Sequence, residues 1–303
     1  MGKRDGDRHH SGAGLGLAAI AAAAALWSVA AVAARNLFDR GVDPIELAEA
    51  RSVIAVAGLA LIPAARRATA RRRPGAVILL GVSIALVNAV YYMAIARLDV
   101  AVALVLQYTA PALVVLWVAA TTRRRPAREV VVAVVVTFTG VVLVSGLLVG
   151  DVGRVSSAGV LFGVASSVLF ATYTLLSERA GEAYGVLGAL LRGFAAATVM
   201  WVAFQAPRGW PHDLFAPENV WEVLFVGTAG TLMPFILFLW GVQQVRAERA
   251  AVAATLEPIL AAIVAWFWLD QVLEPIQLLG GALVLAGIVA LQARRKEVMV
   301  PEL

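Results

Sequence analysis

One carboxylate, Glu257, falls deep inside an apolar run, and any chemistry in this chain has to be built around it. It lies seven residues past Ala250, where the run begins, which places it about 10 Å in from that end at a helical rise of 1.5 Å per residue. An uncompensated charge at such a depth costs several kcal/mol. Glu257 must therefore face protein or water, be paired, or carry a proton. A protonatable group of this kind suits substrate contact or proton coupling. It is equally suited to bonding across helices beside Pro258, where the missing N–H frees a carbonyl. Both readings stand at this point.

Asn88, Tyr91 and Tyr92 sit at i, i+3 and i+4 and so share one helical face. An amide flanked by aromatic rings can orient an organic solute. Interhelical bonding with a tyrosine belt is the plainer alternative. Gln107 and Pro111 are one turn apart, so the Gln107 amide, with Tyr108 beside it, falls where the proline loosens a helix. Trp27 and Ser28, Ser166 and Tyr173, and Thr231 beside Met233 and Pro234 are further polar or aromatic positions within apolar runs. Packed rings and serines bonded to their own backbone are the default there. Arg51 and Arg192 also lie within apolar runs. Snorkelling, or pairing with Glu46 or Glu49, is the expectation for Arg51, ahead of a clamp for a substrate carboxylate. The set expected to line a site is thus Glu257, Gln107, Asn88, Tyr92, Tyr108, Trp27, Ser28 and Tyr173, with Glu257 as the coupling group. Helix breaks are expected at Pro111, Pro234 and Pro258.

Other chemistries lack their residues. The chain has no cysteine, and its three histidines, His9, His10 and His212, fall in a terminus and a loop, so no disulfide, thiolate or buried histidine metal site is built. An intramembrane enzyme would need a nucleophile with its base, or a metal, and one buried glutamate supplies neither. No cofactor is implied.

The elements that must position these residues follow from composition. Of 303 residues, 61% are hydrophobic and 15% charged, with a mean hydropathy of +0.84. A water-soluble domain of this size cannot bury so much apolar surface, so the solvent is a lipid bilayer. Ten apolar runs have the length a helix needs to cross ~30 Å of hydrocarbon. They are 15–34, 45–65, 75–96, 100–120, 130–149, 158–177, 186–206, 221–243, 250–269 and 276–293. The first exceeds a typical signal-peptide core, so Ala31-Val32-Ala33 reads as part of a span rather than a cleavage site. The net charge of +5 does not mark a nucleic-acid binder, because the basic residues fall in short loops. Alternate segments hold 18 Lys and Arg on one side and five on the other. That asymmetry puts both termini in the cytoplasm.

The chain also matches itself. An offset of 147 residues lays Pro111 over Pro258, Gly140 over Gly287, Tyr91 over Phe238 and Met93 over Trp240 without a gap. Slightly smaller offsets, 141 and 144, pair Arg51 with Arg192 and Arg35 with Arg179. Shared prolines, glycines and span pattern point to a duplication. Five spans per half is an odd number, so the second half must insert upside down, with a site near mid-bilayer between the halves. The expected fold is an all-α membrane protein of ten transmembrane helices arranged as two inverted five-helix repeats. In order it has a cytoplasmic tail (1–14), the first repeat (15–149), a connecting loop (150–157), the second repeat (158–293) and a second cytoplasmic tail (294–303). Such an arrangement points to a secondary transporter. A channel-like pore for small solutes is the alternative, although no ring-forming charge motif or filter segment is present.

The run Leu256-Glu257-Pro258-Ile259-Leu260-Ala261-Ala262, then Leu269 and Pro275-Ile276-Gln277-Leu278-Leu279-Gly280-Gly281-Ala282-Leu283-Val284-Leu285-Ala286-Gly287, resembles the EamA-type permeases of the drug/metabolite transporter superfamily. Tyr108, Pro111 and Gly140 form a weaker copy in the first half. The resemblance covers roughly 15–293. It implies ten helices, cytoplasmic termini and alternating access, with small-molecule substrates such as amino acids, other metabolites or drugs, often moved outward. One departure stands out: where the family commonly has Leu-Gly-Glu, this chain reads Leu269-Asp270-Gln271. The Ala282, Ala286, Ala290 stripe permits close packing within the monomer or in a homodimer. The alanine- and arginine-rich composition suggests a bacterial plasma membrane.

Overall fold

In a computed structural model, residues 3–67, 74–122, 127–144, 156–209, 211–244, 253 and 256–293 are described. They form helices and short connections, with no strand among them. In lipid no water satisfies the backbone, so each crossing segment must bond within itself, and helices are the open-chain solution. The helices are α1 (Lys3–Asp39), α2 (Pro44–Ala60), α3 (Pro74–Ile95), α4 (Val100–Gln107), α5 (Ala110–Thr122), α6 (Arg128–Val144), α7 (Ser157–Tyr184), α8 (Val186–Gln205), α9 (Val220–Gly227), α10 (Met233–Gln244), α11 (Leu256–Leu269) and α12 (Pro275–Ala293). Six helical segments among the described residues are long and apolar enough to cross a membrane, the third by α4 and α5 together and the sixth by α9 running into α10. The protein is a multi-pass, all-α membrane protein.

Starts and stops follow local chemistry. Asp43 caps α2, its carboxylate accepting from the N–H groups of Ile45 and Glu46, and Pro44 fills a first-turn position where an N–H is not needed. Ser156 caps α7 by accepting from Gly159 N. α11 ends on Asp270, which adopts φ of 54°. Asp270 takes there the left-handed conformation that glycine adopts without penalty. Its neighbour Gln271 accepts the Val100 N–H through Oε1 at 3.0 Å, satisfying an open donor at the start of α4.

Two of the expected proline breaks are resolved into distinct devices. α4 stops at Gln107, a turn through Tyr108 and Thr109 follows, and Pro111 falls in the first turn of α5. There its absent N–H costs nothing. Ahead of Pro234, residues Thr228–Leu232 widen into a π-helical turn joining α9 to α10, which makes room for the ring. Pro258 lies in the first turn of α11; the residues immediately before that helix are outside the described set.

The helices pack in a recurrent pattern. α6 lies along α12, α3 against α7 and α8, α1 against α10 and α11, and α2 against α8. The α6–α12 seam brings the two backbones close: a Cβ on Gly140 would stand 2.6 Å from the Gly280 carbonyl oxygen, and one on Gly287 would stand 2.8 Å from that of Ala133. Both glycines matched in the internal alignment therefore serve one interface, each from its own side. The alanine stripe of α12 turns the other way, and Ala282, Ala286 and Ala290 are exposed. Leu116, Trp117, Val135, Trp266 and Phe267 are also exposed on the outer surface, as expected of side chains that face lipid tails.

Polar contacts gather where α1 meets α2. Arg35 pairs with Asp39 at 2.9 Å and donates through Nη1 to the carbonyls of Ile95 and Leu98. Arg40 pairs with Glu222 on α9, to which Asn36 also donates. Burial holds the carboxyl of Asp99, the residue before α4, above its ordinary pKa, with the Arg35 charge opposing.

Candidate functional site

α2 carries Arg51 inward rather than out to the membrane surface. Its Nε donates to Thr231 Oγ1 at 2.7 Å, and its Nη1 to Asn88 Oδ1 at 2.8 Å and to Tyr92 Oη at 3.3 Å. This corrects the expectation that Arg51 snorkels or pairs with Glu46 or Glu49. The ion pairs among the described residues are Arg35–Asp39 and Arg40–Glu222, so the Arg51 guanidinium has no carboxylate within bonding distance. Three neutral oxygens hold it, and those bonds are charge-assisted.

Each partner is positioned by its own element. Thr231 sits in the π-helical turn, and its hydroxyl also donates to the Val226 carbonyl at 2.8 Å. The threonine hydroxyl thus bonds back into its own helix while offering its lone pair to Arg51. Asn88 donates through Nδ2 to the Ile84 carbonyl one turn back, which orients its oxygen toward the guanidinium. Tyr92 is buried, with its ring stacked on Tyr91 at 5.6 Å, edge-on to Phe38 and 5.7 Å from the Arg51 carbon. The shared face read for Asn88, Tyr91 and Tyr92 is therefore a packed interior face.

Glu257 is buried, with 9% of its surface exposed. Tyr108, in the break between α4 and α5, donates its phenol to Glu257 Oε2 at 2.7 Å. Ser28 is fully buried, and its hydroxyl faces the carbonyls of Ala24, at 2.7 Å, and Glu257, at 2.8 Å. Ser28 thus fixes the start of α11 against α1, and its side chain does not meet the Glu257 carboxylate. Arg51 and Glu257 interact electrostatically, and Tyr91 feels both.

The remaining residues expected in the site divide. Gln107 is half-buried at the last position of α4. Trp27 is wedged against Phe235 at 5.5 Å and Phe238 at 5.7 Å, a packing role. Tyr173 leans on Phe170 and lies within electrostatic reach of Arg51. Ser166 donates to Gly163 O, the default for a helical serine. Arg192, the alignment partner of Arg51, instead donates to the carbonyls of Gly188, Ala65 and Arg67 and lies over Tyr184. It ties α8 to the segment after α2. Only one arginine of the pair belongs to the cluster, and its spacing in the sequence did not single it out.

The geometry is that of an intramembrane polar cluster assembled by five segments, α2, α3, the α4–α5 turn, the π-helical turn and the start of α11, with no group of metal ligands among the described residues. The family model described as the EamA-like transporter family matches the chain twice, over residues 14–146 and 157–292. The chain belongs to the EamA-like transporter family. The two EamA-like matches divide the cluster: Arg51, Asn88, Tyr92 and Tyr108 fall in the first, Thr231 and Glu257 in the second. An uncharacterised transporter of Archaeoglobus fulgidus is 30% identical over 43% of this chain and 46% of its own length. The inner membrane transporter YicL of Salmonella typhimurium, also uncharacterised, is 26% identical over 69% of this chain and 70% of its own. The threonine/homoserine exporter RhtA of Escherichia coli is 28% identical over 74% and 73%. The match thus spans under half of the archaeal relative's length. A solved crystal structure superposes with a TM-score of 0.59 at 22% identity, covering 95% of this chain and 99% of that one, which shows a shared fold. This EamA-like chain is a membrane transporter by family.

Proposed function

We propose that the protein is a secondary transporter that exports small organic metabolites, such as amino acids or drugs, across a bacterial plasma membrane by alternating access. Two five-helix repeats of opposite orientation rock about a central site, with both termini in the cytoplasm. The observation that supports this most directly is the way the cluster is joined. Arg51–Thr231 and Tyr108–Glu257 both bridge the two family matches. A relative movement of the halves has to break and remake these bonds, so what occupies the site and how the halves sit are coupled. The breaks at Tyr108–Thr109 and at the π-helical turn lie at the cluster itself, and discontinuous helices at a repeat interface suit alternating access. Packing agrees with a two-fold relation, since α3 against α7 is answered by α1 against α10.

Glu257 is the proposed coupling group. It is held by the phenol of Tyr108 on the α4–α5 turn. Reconstituted protein, challenged with amino acids and cationic drugs under an imposed pH gradient, is expected to give saturable flux. Glu257→Gln is expected to keep flux but lose its dependence on the gradient. Non-saturating ion conductance would sink the carrier reading in favour of a pore, and unchanged gradient dependence in the variant would return Glu257 to a structural role.

A further inference from the structure

We infer that Ser167, on α7, is a positioning residue for Glu257: through Thr109 it sets the break between α4 and α5, and the break in turn sets the Tyr108 phenol on the carboxylate. The inference rests on the proposed coupling role of Glu257 and adds a residue outside the cluster that governs it.

The last carbonyls of α4 have no partner further along their own helix. Thr109 supplies one for Leu106, whose carbonyl accepts from the Thr109 N–H at 3.2 Å and from its hydroxyl at 2.7 Å. A threonine hydroxyl has a single proton. With that proton on Leu106, the Thr109 oxygen serves as an acceptor, and Ser167 Oγ donates to it at 2.7 Å. Thr109 is 5% exposed and Ser167 1%, so water does not compete for either hydroxyl. Ser167, Thr109 and the Leu106 carbonyl form a chain that closes α4 from the other half, since Thr109 falls in the first family match and Ser167 in the second.

α7 is shaped to bring that hydroxyl in. Gly159, Gly163, Ser167 and Ala171 recur every four residues and are all buried, a row of small side chains, and α4 packs against this helix. A Cβ on Gly163 would stand 2.6 Å from Leu106 Cδ1, and one on Gly159 would stand 2.8 Å from Leu98 Cγ. With the helices this close, the short side chain of serine reaches Thr109. Alanine, which holds the next place in the row, would pack as well; the hydroxyl is the part that packing does not require. Neighbouring residues of the break thus reach two different helices of the second match, Thr109 to α7 and Tyr108 to Glu257 on α11. Hydroxyl hydrogen bonds extend to about 3.0 Å, so at 2.7 Å each bond tolerates a displacement of only a few tenths of an ångström. A shift of the break that releases Ser167 therefore carries the phenol off Glu257.

The test uses the intact protein in liposomes under an imposed pH gradient, with L-threonine, L-phenylalanine and ethidium as probes and thermal midpoints in detergent as the check on folding. Ser167→Ala should cut gradient-driven flux about five- to tenfold and give it the pH dependence of Tyr108→Phe. Added to Tyr108→Phe, it should change neither further, because both act on one bond. A hydroxyl that serves packing alone would lower flux equally in both backgrounds and leave the pH dependence of wild type. Thr109→Val removes the middle hydroxyl and should copy Ser167→Ala, whereas Thr109→Ser keeps it and should retain the wild-type profile, so a folding defect in one variant does not decide the question. Ser166→Ala, which loses a bond to Gly163 within its own helix, should also keep that profile. Additive losses, or a wild-type pH profile in Ser167→Ala, overturn this inference and leave the transporter reading standing. Saturable wild-type flux that ignores the gradient removes the coupling role of Glu257 and this inference with it. No saturable flux of any probe overturns the transporter reading as well.

Discussion

Arg51 shows how far a residue's neighbours can redirect it. A lone arginine about two turns into an apolar helix reads as a snorkeller, because its long stem allows that. Its actual partners are a threonine 180 residues later, an asparagine 37 later and a tyrosine 41 later, and none of these separations is a signal in itself. Thr231 is the most informative position to alter, since one hydroxyl accepts from Arg51 and donates to Val226. Valine keeps the shape and removes both bonds. Leaving a guanidinium N–H inside the bundle short of its partner costs about 1–3 kcal/mol. Thr231→Val should therefore lower the thermal midpoint of the detergent-solubilised protein and reduce flux. An unchanged midpoint would mean that Arg51 finds another acceptor. Glu257 and Tyr108 were legible as polar exceptions because carboxylates and phenols are rare in apolar spans; that they touch was not.

At the scale of elements, the interruptions carry the design. Prolines mark where a helix must give way, but not how: before Pro111 the chain stops and restarts, and before Pro234 it widens into a π-helical turn. In the second solution Thr231 bonds back to the Val226 carbonyl. The end of α11 offers a separate test. Asp270 holds φ of 54°, where a Cβ costs about 1 kcal/mol relative to glycine. Asp270→Gly should raise the thermal midpoint without moving Gln271 from the Val100 N–H. A lower midpoint would show that the aspartate side chain repays its strain through a local contact.

At the scale of the whole molecule, charge asymmetry predicts which loops face the cytoplasm. The absence of cysteine makes the test clean. Single cysteines replacing Arg67 and Arg208 should respond oppositely to a membrane-impermeant maleimide added to intact cells. Arg208→Cys should label, and Arg67→Cys only after permeabilisation. Labelling of both from outside would break the proposed topology. The same arrangement places the Arg40–Glu222 pair at the outer end, bridging the two matched halves.

The sequence alone determined that the chain lives in lipid, that it is helical, and where its polar exceptions lie. Those are one-dimensional properties: apolar length, the rarity of charge within it, and the recurrence of proline and glycine at a fixed offset. It also placed Gly140 and Gly287 as counterparts, which the shared α6–α12 seam explains. Only the tertiary structure decided that Ser28 anchors a backbone, that Trp27 packs between phenylalanines, and that Arg51 joins the cluster while Arg192 does not. The reason is that a side chain's role in a bundle depends on which neighbouring helix it meets. Helix azimuth and partner are set by packing among segments far apart in sequence, and hydropathy carries no record of that.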